Sequence, residues 1–291
     1  MKWLLHLLAV FFVRKKSRPV SPNQTASKRS KGWLGVAGVE VGTKHQNARP
    51  PIPCQDAALV RFNGKYHPGA FVADGAGSAS LSHFGAQETV LRLSHLAAAM
   101  GNIHAQLLDA PESPDEKELR THAHRFLIHA SETLLDLANS KNLPFKEFHC
   151  TLLMVVIGTE RIFWVKVGDG QIVQEDSDGN LKAIGPSGKG AHANETNFIQ
   201  EDAESTIFSC GVFPTTKISG IALMTDGAAE RLVSNDGKKI AGRINAFLNG
   251  IRNDKFGENN LQEFLSDGNV WKPSSGYTGD DKGLALLSRH L

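Results

Sequence analysis

Five acids in this chain stand where a short apolar run meets a turn. Phe71-Val72-Ala73 leads into Asp74-Gly75-Ala76-Gly77-Ser78, and Val165-Lys166-Val167 leads into Gly168-Asp169-Gly170. Ile221 to Thr225 leads into Asp226-Gly227, Asp280-Asp281 precedes the run Leu284 to Leu287, and Asp56 precedes Ala57 to Val60. Carboxylates are ligands for hard cations such as Mg2+ and Mn2+. An acid fixed at a strand end by a glycine turn is rigid enough to place such an ion. Glycine also lets a backbone carbonyl approach the ion, because no Cβ intervenes. Two ions about 4 Å apart can activate water for in-line attack on phosphorus. A single Asp-Gly pair is a common turn and says little; five acids in this arrangement predict a metal centre.

The intervening chain must bring these acids together. Residues 33–41, 57–62 and 69–73 read as strands, from their β-branched residues, with Asn63-Gly64 as a hairpin turn between the last two. Apolar residues at helical spacing predict a helix over 82–100 and a second from Asp115-Glu116 to about residue 139, separated by Pro111-Glu112-Ser113-Pro114. Strands follow at 150–157, 161–167, 171–174, 181–184 and 218–225, then short helices at 227–233, 240–251 and 261–265, and a closing strand at 283–287. Residues 42–53 and 185–205 read as loops. Strands, then two long helices, then more strands is not βαβ alternation, and it predicts an α+β sandwich of antiparallel sheets.

The 291 residues carry 32 basic and 30 acidic side chains, so net charge points to no nucleic-acid partner. The distribution is uneven: eight cations and no acid fall in the first 31 residues, which leaves the remainder near −6, in keeping with an acid-lined site. Residues 3–13 are apolar and Arg14-Lys15-Lys16 follow. Eleven residues are short for a membrane span, and most of the charge follows the apolar part, the reverse of a secretory signal. Two readings stay open: a helix lying on an anionic membrane surface, or a misassigned start or a helix packed on the domain. Residues 17–31 read as a linker, so 1–31 form an extension and 32–291 the folded domain. Three dispersed cysteines, Cys54, Cys150 and Cys210, argue against a disulfide framework or zinc site and for a reducing, cytoplasmic setting. Cys150 and Cys210 are expected in the core.

The motifs Gln55-Asp56-Ala57, Val72 to Ser78, Val167 to Gly170, Met224 to Gly227 and Asp280-Asp281 together resemble those of the metal-dependent protein phosphatases of type 2C, in their compact bacterial branch. The resemblance runs from about Val36 to Leu287. It implies two antiparallel sheets between helical layers, with two core Mn2+ or Mg2+ ions in a cleft at one end. Asp74 would bridge both ions and the Gly75 carbonyl would bind one. Asp226 and Asp280 would complete the other shell, Asp56 would hold metal-bound water, and Asp169 with Asp226 would bind a third, weaker ion. The implied activity is hydrolysis of phosphoserine and phosphothreonine in proteins by metal-activated water, with a cognate Ser/Thr kinase as the natural counterpart.

Three positions depart from the family pattern. Ala76 stands where some members have a histidine thought to protonate the leaving group, and Gln55 where some have a ligating Glu. A phosphate-clamping arginine near the first strand has no clear equivalent; Arg49, His45 and Lys44 are the candidates. These departures keep two alternatives in view, a non-catalytic module of the same fold and a phosphatase of small esters. Other signals have plainer readings. Gly185 to Gly190 lacks the full phosphate-loop pattern, Asp176 to Asn180 is a hairpin turn lacking calcium-loop oxygens, and His122, His124 and His129 are expected to be solvated.

Overall fold

The computed structural model describes residues 32–62, 67–186, 196–234, 236–272 and 277–291. The extension 1–31, the Asn63-Gly64 turn and most of the Gly185–Gly190 segment lie outside the described residues. Among the described residues the strands are β1 (Trp33–Glu40), β2 (Asp56–Arg61), β3 (Gly69–Asp74), β4 (Leu152–Ile157), β5 (Arg161–Val167), β6 (Gln171–Asp176), β7 (Leu181–Ile184), β8 (Ser209–Pro214), β9 (Ile218–Met224) and β10 (Lys282–Arg289). The helices are α1 (Thr43–Gln46), α2 (Ser82–Ala99), α3 (Gly101–Leu108), α4 (Glu116–Lys141), α5 (Asp226–Leu232), α6 (Arg243–Arg252) and α7 (Glu258–Ser266).

The strands form two antiparallel five-stranded sheets, ordered β1-β10-β9-β6-β7 and β2-β3-β4-β5-β8. Strand alternation explains the layering, because successive side chains point to opposite faces. Ala70 and Val72 of β3 join Leu153, Ile172, Ile221, Leu223 and Leu287 in the core between the sheets. Their neighbours Phe71 and Ala73 pack outward with Val90, Leu93, Phe126 and Leu127 of α2 and α4. On the other outer face, Val36, Met224 and Leu286 meet Leu248, Leu261 and Leu265 of α6 and α7. A strand covered on both faces is apolar throughout, which is why β4 and β9 read as continuous runs. The expected α+β sandwich, flanked by helices, is the fold observed.

Helix α4 owes its start to a capping box. Asp115 accepts from the Glu118 backbone at 2.7 Å, while Glu118 accepts from the Asp115 backbone at 2.9 Å. It ends at Asn142, whose left-handed backbone (φ 54) suits that residue type. Several expectations need correction. The segment 42–53 contains the short helix α1. The helix expected over 82–100 ends at Ala99, and after Met100 alone a further helix, α3, continues the stretch to Leu108. The helix expected from residue 240 begins at Arg243, since Ile240 bridges to Val233. Edge strand β8 is only half-buried, so its residues lack a clear alternating pattern, and Cys210 on it is half-buried instead of enclosed. His122 is fully buried, not solvated, because α4 turns it between α3 and the sheet, against His104 and Phe163.

Candidate metal centre

Each of the five acids is placed by an element end, and the two sheets bring those ends together. Asp56, the first residue of β2, and Asp74, the last of β3, are direct cross-strand partners. Asp169 occupies the turn through which the chain crosses from β5 in one sheet to β6 in the other. Asp226 opens α5 as β9 ends, and Asp280 sits just before β10. At the centre, Asp74 feels the charges of Asp56, Asp226, Asp280 and Asp169. One carboxylate oxygen from each of Asp74, Asp169 and Asp226 lies within 4.8 Å of the others.

Like charges gathered this way resist ionisation. Burial first, then the charges of Asp281 and Asp226, push Asp56 well above the ordinary carboxylate range, against the opposing hydrogen bond from Thr225. Burial and its four acidic neighbours do the same to Asp74. Asp226 is raised to about 6, by burial and then by Asp169 and Asp280. Among the described residues, the ion pair these five acids make is Lys44 Nζ to Asp280 Oδ2 at 3.6 Å, with the lysine more than half exposed. Negative charge is therefore left uncompensated. The donor set fits hard divalent cations: all oxygen and mostly carboxylate. One further buried oxygen, Oε1 of Gln55, has no hydrogen-bond partner.

A second layer of hydrogen bonds orients the acids. Thr225 donates to Asp56 Oδ2 at 2.7 Å and accepts from the Gly283 backbone at 2.9 Å. Thr151 accepts from the Asp74 backbone at 2.9 Å, and Thr196 donates to Asp169 Oδ2 at 2.9 Å. The glycines at two of these turns are required by close approach. A Cβ on Gly227 would lie 2.1 Å from the Asp281 carbonyl, and one on Gly42 would lie 2.2 Å from the Asp280 backbone. Sequence reasoning assigned no role to Thr225, Thr151 or Asp281. Only Thr225 and Asp281 carried a signal, by adjoining an acid in a motif.

The remaining candidates are placed as follows. Gly75 directly follows Asp74, and its N–H donates to the Gln55 carbonyl at 3.1 Å. Arg49 is exposed. His45 is buried, with Nδ1 2.9 Å from Asp281 Oδ2. Ala76 is buried, and Gln55 turns its amide to the Ala79 carbonyl at 3.3 Å. Cys54 is half-buried beside this site, and burial with the charges of Asp56 and Asp281 drives its thiol far up, away from nucleophile chemistry. Lys166, buried near Asp169, donates to the Pro186 carbonyl at 2.9 Å; burial pulls it down to about 8, and Asp169 opposes that shift.

Comparison with known proteins agrees with this arrangement. The chain is 30% identical over 267 residues to serine/threonine-protein phosphatase 3 of Escherichia coli (strain K12), spanning 87% of this chain and 97% of that one. Among solved structures, serine/threonine phosphatase Stp1 from Staphylococcus aureus superposes with a TM-score of 0.57 at 11% identity, over 88% of this chain and 95% of that one. PppA of Pseudomonas aeruginosa, described as a key regulatory component of T6SS, gives 0.57 at 14% identity, over 89% and 98%. At those identities the two structures establish a shared fold. The family model described as protein phosphatase 2C matches residues 41–266, most of the folded body and four of the five acids, and the chain belongs to the protein phosphatase 2C family.

Proposed function

We propose that this protein is a metal-dependent phosphatase hydrolysing phosphoserine and phosphothreonine in proteins. The observation that carries the reading is Asp74, set among four other acids at the meeting of the two sheets in a chain of this family. Asp74, Asp226, Asp280, Asp56, Asp169 and the Gly75 carbonyl would hold Mn2+ or Mg2+, with two core ions and a third, weaker one at Asp169 and Asp226. When bound, such ions lower the pKa of water and neutralise charge on a phosphoryl group. The chain's own residues do the rest. Thr225 fixes the Asp56 carboxylate. Lys44 and Arg49, exposed on the segment that leads to the acids, attract the substrate's phosphate, while His45, held on Asp281, supports that segment. With Ala76 at the first motif, the leaving hydroxyl takes its proton from solvent.

The test is hydrolysis of a phosphothreonine peptide by the full chain with Mn2+, with Mg2+, with chelator, and with Asp74→Asn. Turnover that needs the ion and falls at least about 100-fold in the variant supports the reading. Undiminished activity in Asp74→Asn would refute the site. Preference for p-nitrophenyl phosphate over every phosphopeptide would turn the assignment to small esters, and a folded protein that binds Mn2+ without turnover would turn it to a regulatory module. As a protein phosphatase it opposes a Ser/Thr kinase acting on the same substrate in the cytoplasm; phosphoproteomics of a deletion strain, showing no phosphosite that accumulates, would count against this.

A further inference from the structure

We propose that Asp281 is a positioning residue for the metal centre, fixing from behind the three segments that carry Lys44, Asp56 and Asp280. This rests on the metal-dependent reading above. The Asp281 side chain is 3% exposed and accepts three hydrogen bonds. Its Oδ1 takes the Gly42 N–H at 2.6 Å, and its Oδ2 takes the Gln55 N–H at 2.6 Å and His45 Nδ1 at 2.9 Å. All three donors lie more than 220 positions away in the chain, so the contacts are entirely tertiary.

Each bond leads to a site residue. Gln55 precedes Asp56, and its carbonyl accepts from Gly75, the residue after Asp74, at 3.1 Å. Anchoring the Gln55 peptide therefore sets how the starts of the Asp56 and Gly75 segments meet. Gly42 is the N-cap of α1 and His45 lies within that helix, whose Lys44 N–H donates to the Gly279 carbonyl at 2.9 Å and whose Lys44 ammonium reaches Asp280 at 3.6 Å. The turn 279–281 and the turn 42–45 are thus laced together by three hydrogen bonds, two of them to Asp281.

Three donors converge on this carboxylate, with His45 carrying its proton on Nδ1. An amide of the same shape would turn an NH2 group towards at least one of them. Two of the donors are backbone N–H groups in a buried region, which have no water to fall back on if the acceptor is lost. Asp281→Asn is therefore the informative change: similar volume, wrong polarity on one side. Outer-layer partners of metal ligands typically govern metal affinity by 10–100-fold when removed.

The experiment measures Mn2+ binding by isothermal titration calorimetry to the full chain, to Asp281→Asn and to Asp74→Asn. Melting curves without metal, and phosphopeptide kcat and KM at limiting and saturating Mn2+, are measured alongside. The expected result is a folded Asp281→Asn protein with Mn2+ affinity reduced about 10–100-fold. Its kcat/KM deficit should shrink as Mn2+ is raised, which a merely structural brace would not produce. Should that variant fail to fold, His45→Leu, which removes one of the three donors, is measured in the same way and is expected to weaken Mn2+ binding at least about threefold. Equal Mn2+ affinity in the folded variant and the wild type, whatever the melting temperature, overturns the proposal alone. A wild-type chain that binds no Mn2+ overturns the metal-dependent reading, and this proposal with it.

Discussion

Asp226 shows how individual residues of the centre are held in a state the folded chain would not choose by itself. Its pKa is raised to about 6, above the unfolded value near 3.8, so the native state binds the extra proton between those values. A group raised in this way contributes stability at low pH and loses it as pH rises through about 6. At pH 7, without metal, the carboxylate is ionised beside Asp169 and Asp280, and the fold bears that repulsion. Asp226→Asn should therefore stabilise the metal-free protein at pH 7 by roughly 1–3 kcal/mol in urea unfolding, while weakening Mn2+ binding. In the wild type, the melting-temperature gain on adding Mn2+ should grow from pH 5 to pH 7.5. A destabilised Asp226→Asn protein under chelation would show that the acid is satisfied by protein contacts alone. The five acids, Gly75 and the motifs around them were legible as residues because each adjoins a turn-forming glycine or a strand boundary. Asp281 was visible only as the second half of a doublet, since its three partners lie on distant segments.

At the scale of elements, α3 and α4 bury two histidines that take no part in the centre. The rings of His104 and His122 are fully buried, 5.1 Å apart edge to face, and none of their four nitrogens has a hydrogen-bond partner. Burial, with the nearby His122 and His67 for one and Arg125 for the other, pulls His104 down to about 3 and His122 to about 4; the Asp109 carboxylate only partly opposes the shift at His104. Unfolded, both would titrate near 6.5, so between that pH and about 4 the unfolded state binds more protons. Stability is then fully present above pH 6.5 and is lost as pH falls. Each histidine should cost roughly 2 kcal/mol at pH 5 relative to pH 7.5. Urea unfolding at the two pH values checks this, and the His104→Leu/His122→Leu pair should flatten the difference; an unchanged slope would assign the acid loss elsewhere. The sequence placed His122 on a helix but could not tell which face was covered, because it offered no helix over residues 101–108 to pack against that face. Edge strand β8 was missed for a related reason: half-burial blurs the alternation that marks an inner strand.

For the whole molecule, three apolar layers of described residues lie on either side of and between the sheets. No helix among the described residues is long and apolar enough to cross a membrane. We propose that the eight cations of the first 31 residues attach the enzyme peripherally to an anionic surface, with each cation near the surface worth about 1 kcal/mol. Full-length protein should sediment with phosphatidylserine vesicles at low salt and be released at high salt, as screening requires. A chain of residues 32–291 should stay in the supernatant and keep kcat/KM within about twofold, because no site residue lies in the extension. Full-length protein that ignores the vesicles at low salt would dispose of the idea.

The sequence by itself determined the fold class and the chemistry on offer. Strand periodicity is a local property, and so is an acid beside a glycine turn; both survive without knowledge of the neighbours. Tertiary structure decided which charges meet. It paired Asp56 with Asp74 across β2 and β3, brought Asp169 and Asp226 to the same oxygen cluster, buried His45 on Asp281 while leaving Lys44 and Arg49 exposed, and enclosed His122 against α3. These are contacts between residues tens to hundreds of positions apart, fixed by sheet order and helix packing, and residue spacing along the chain carries no record of them.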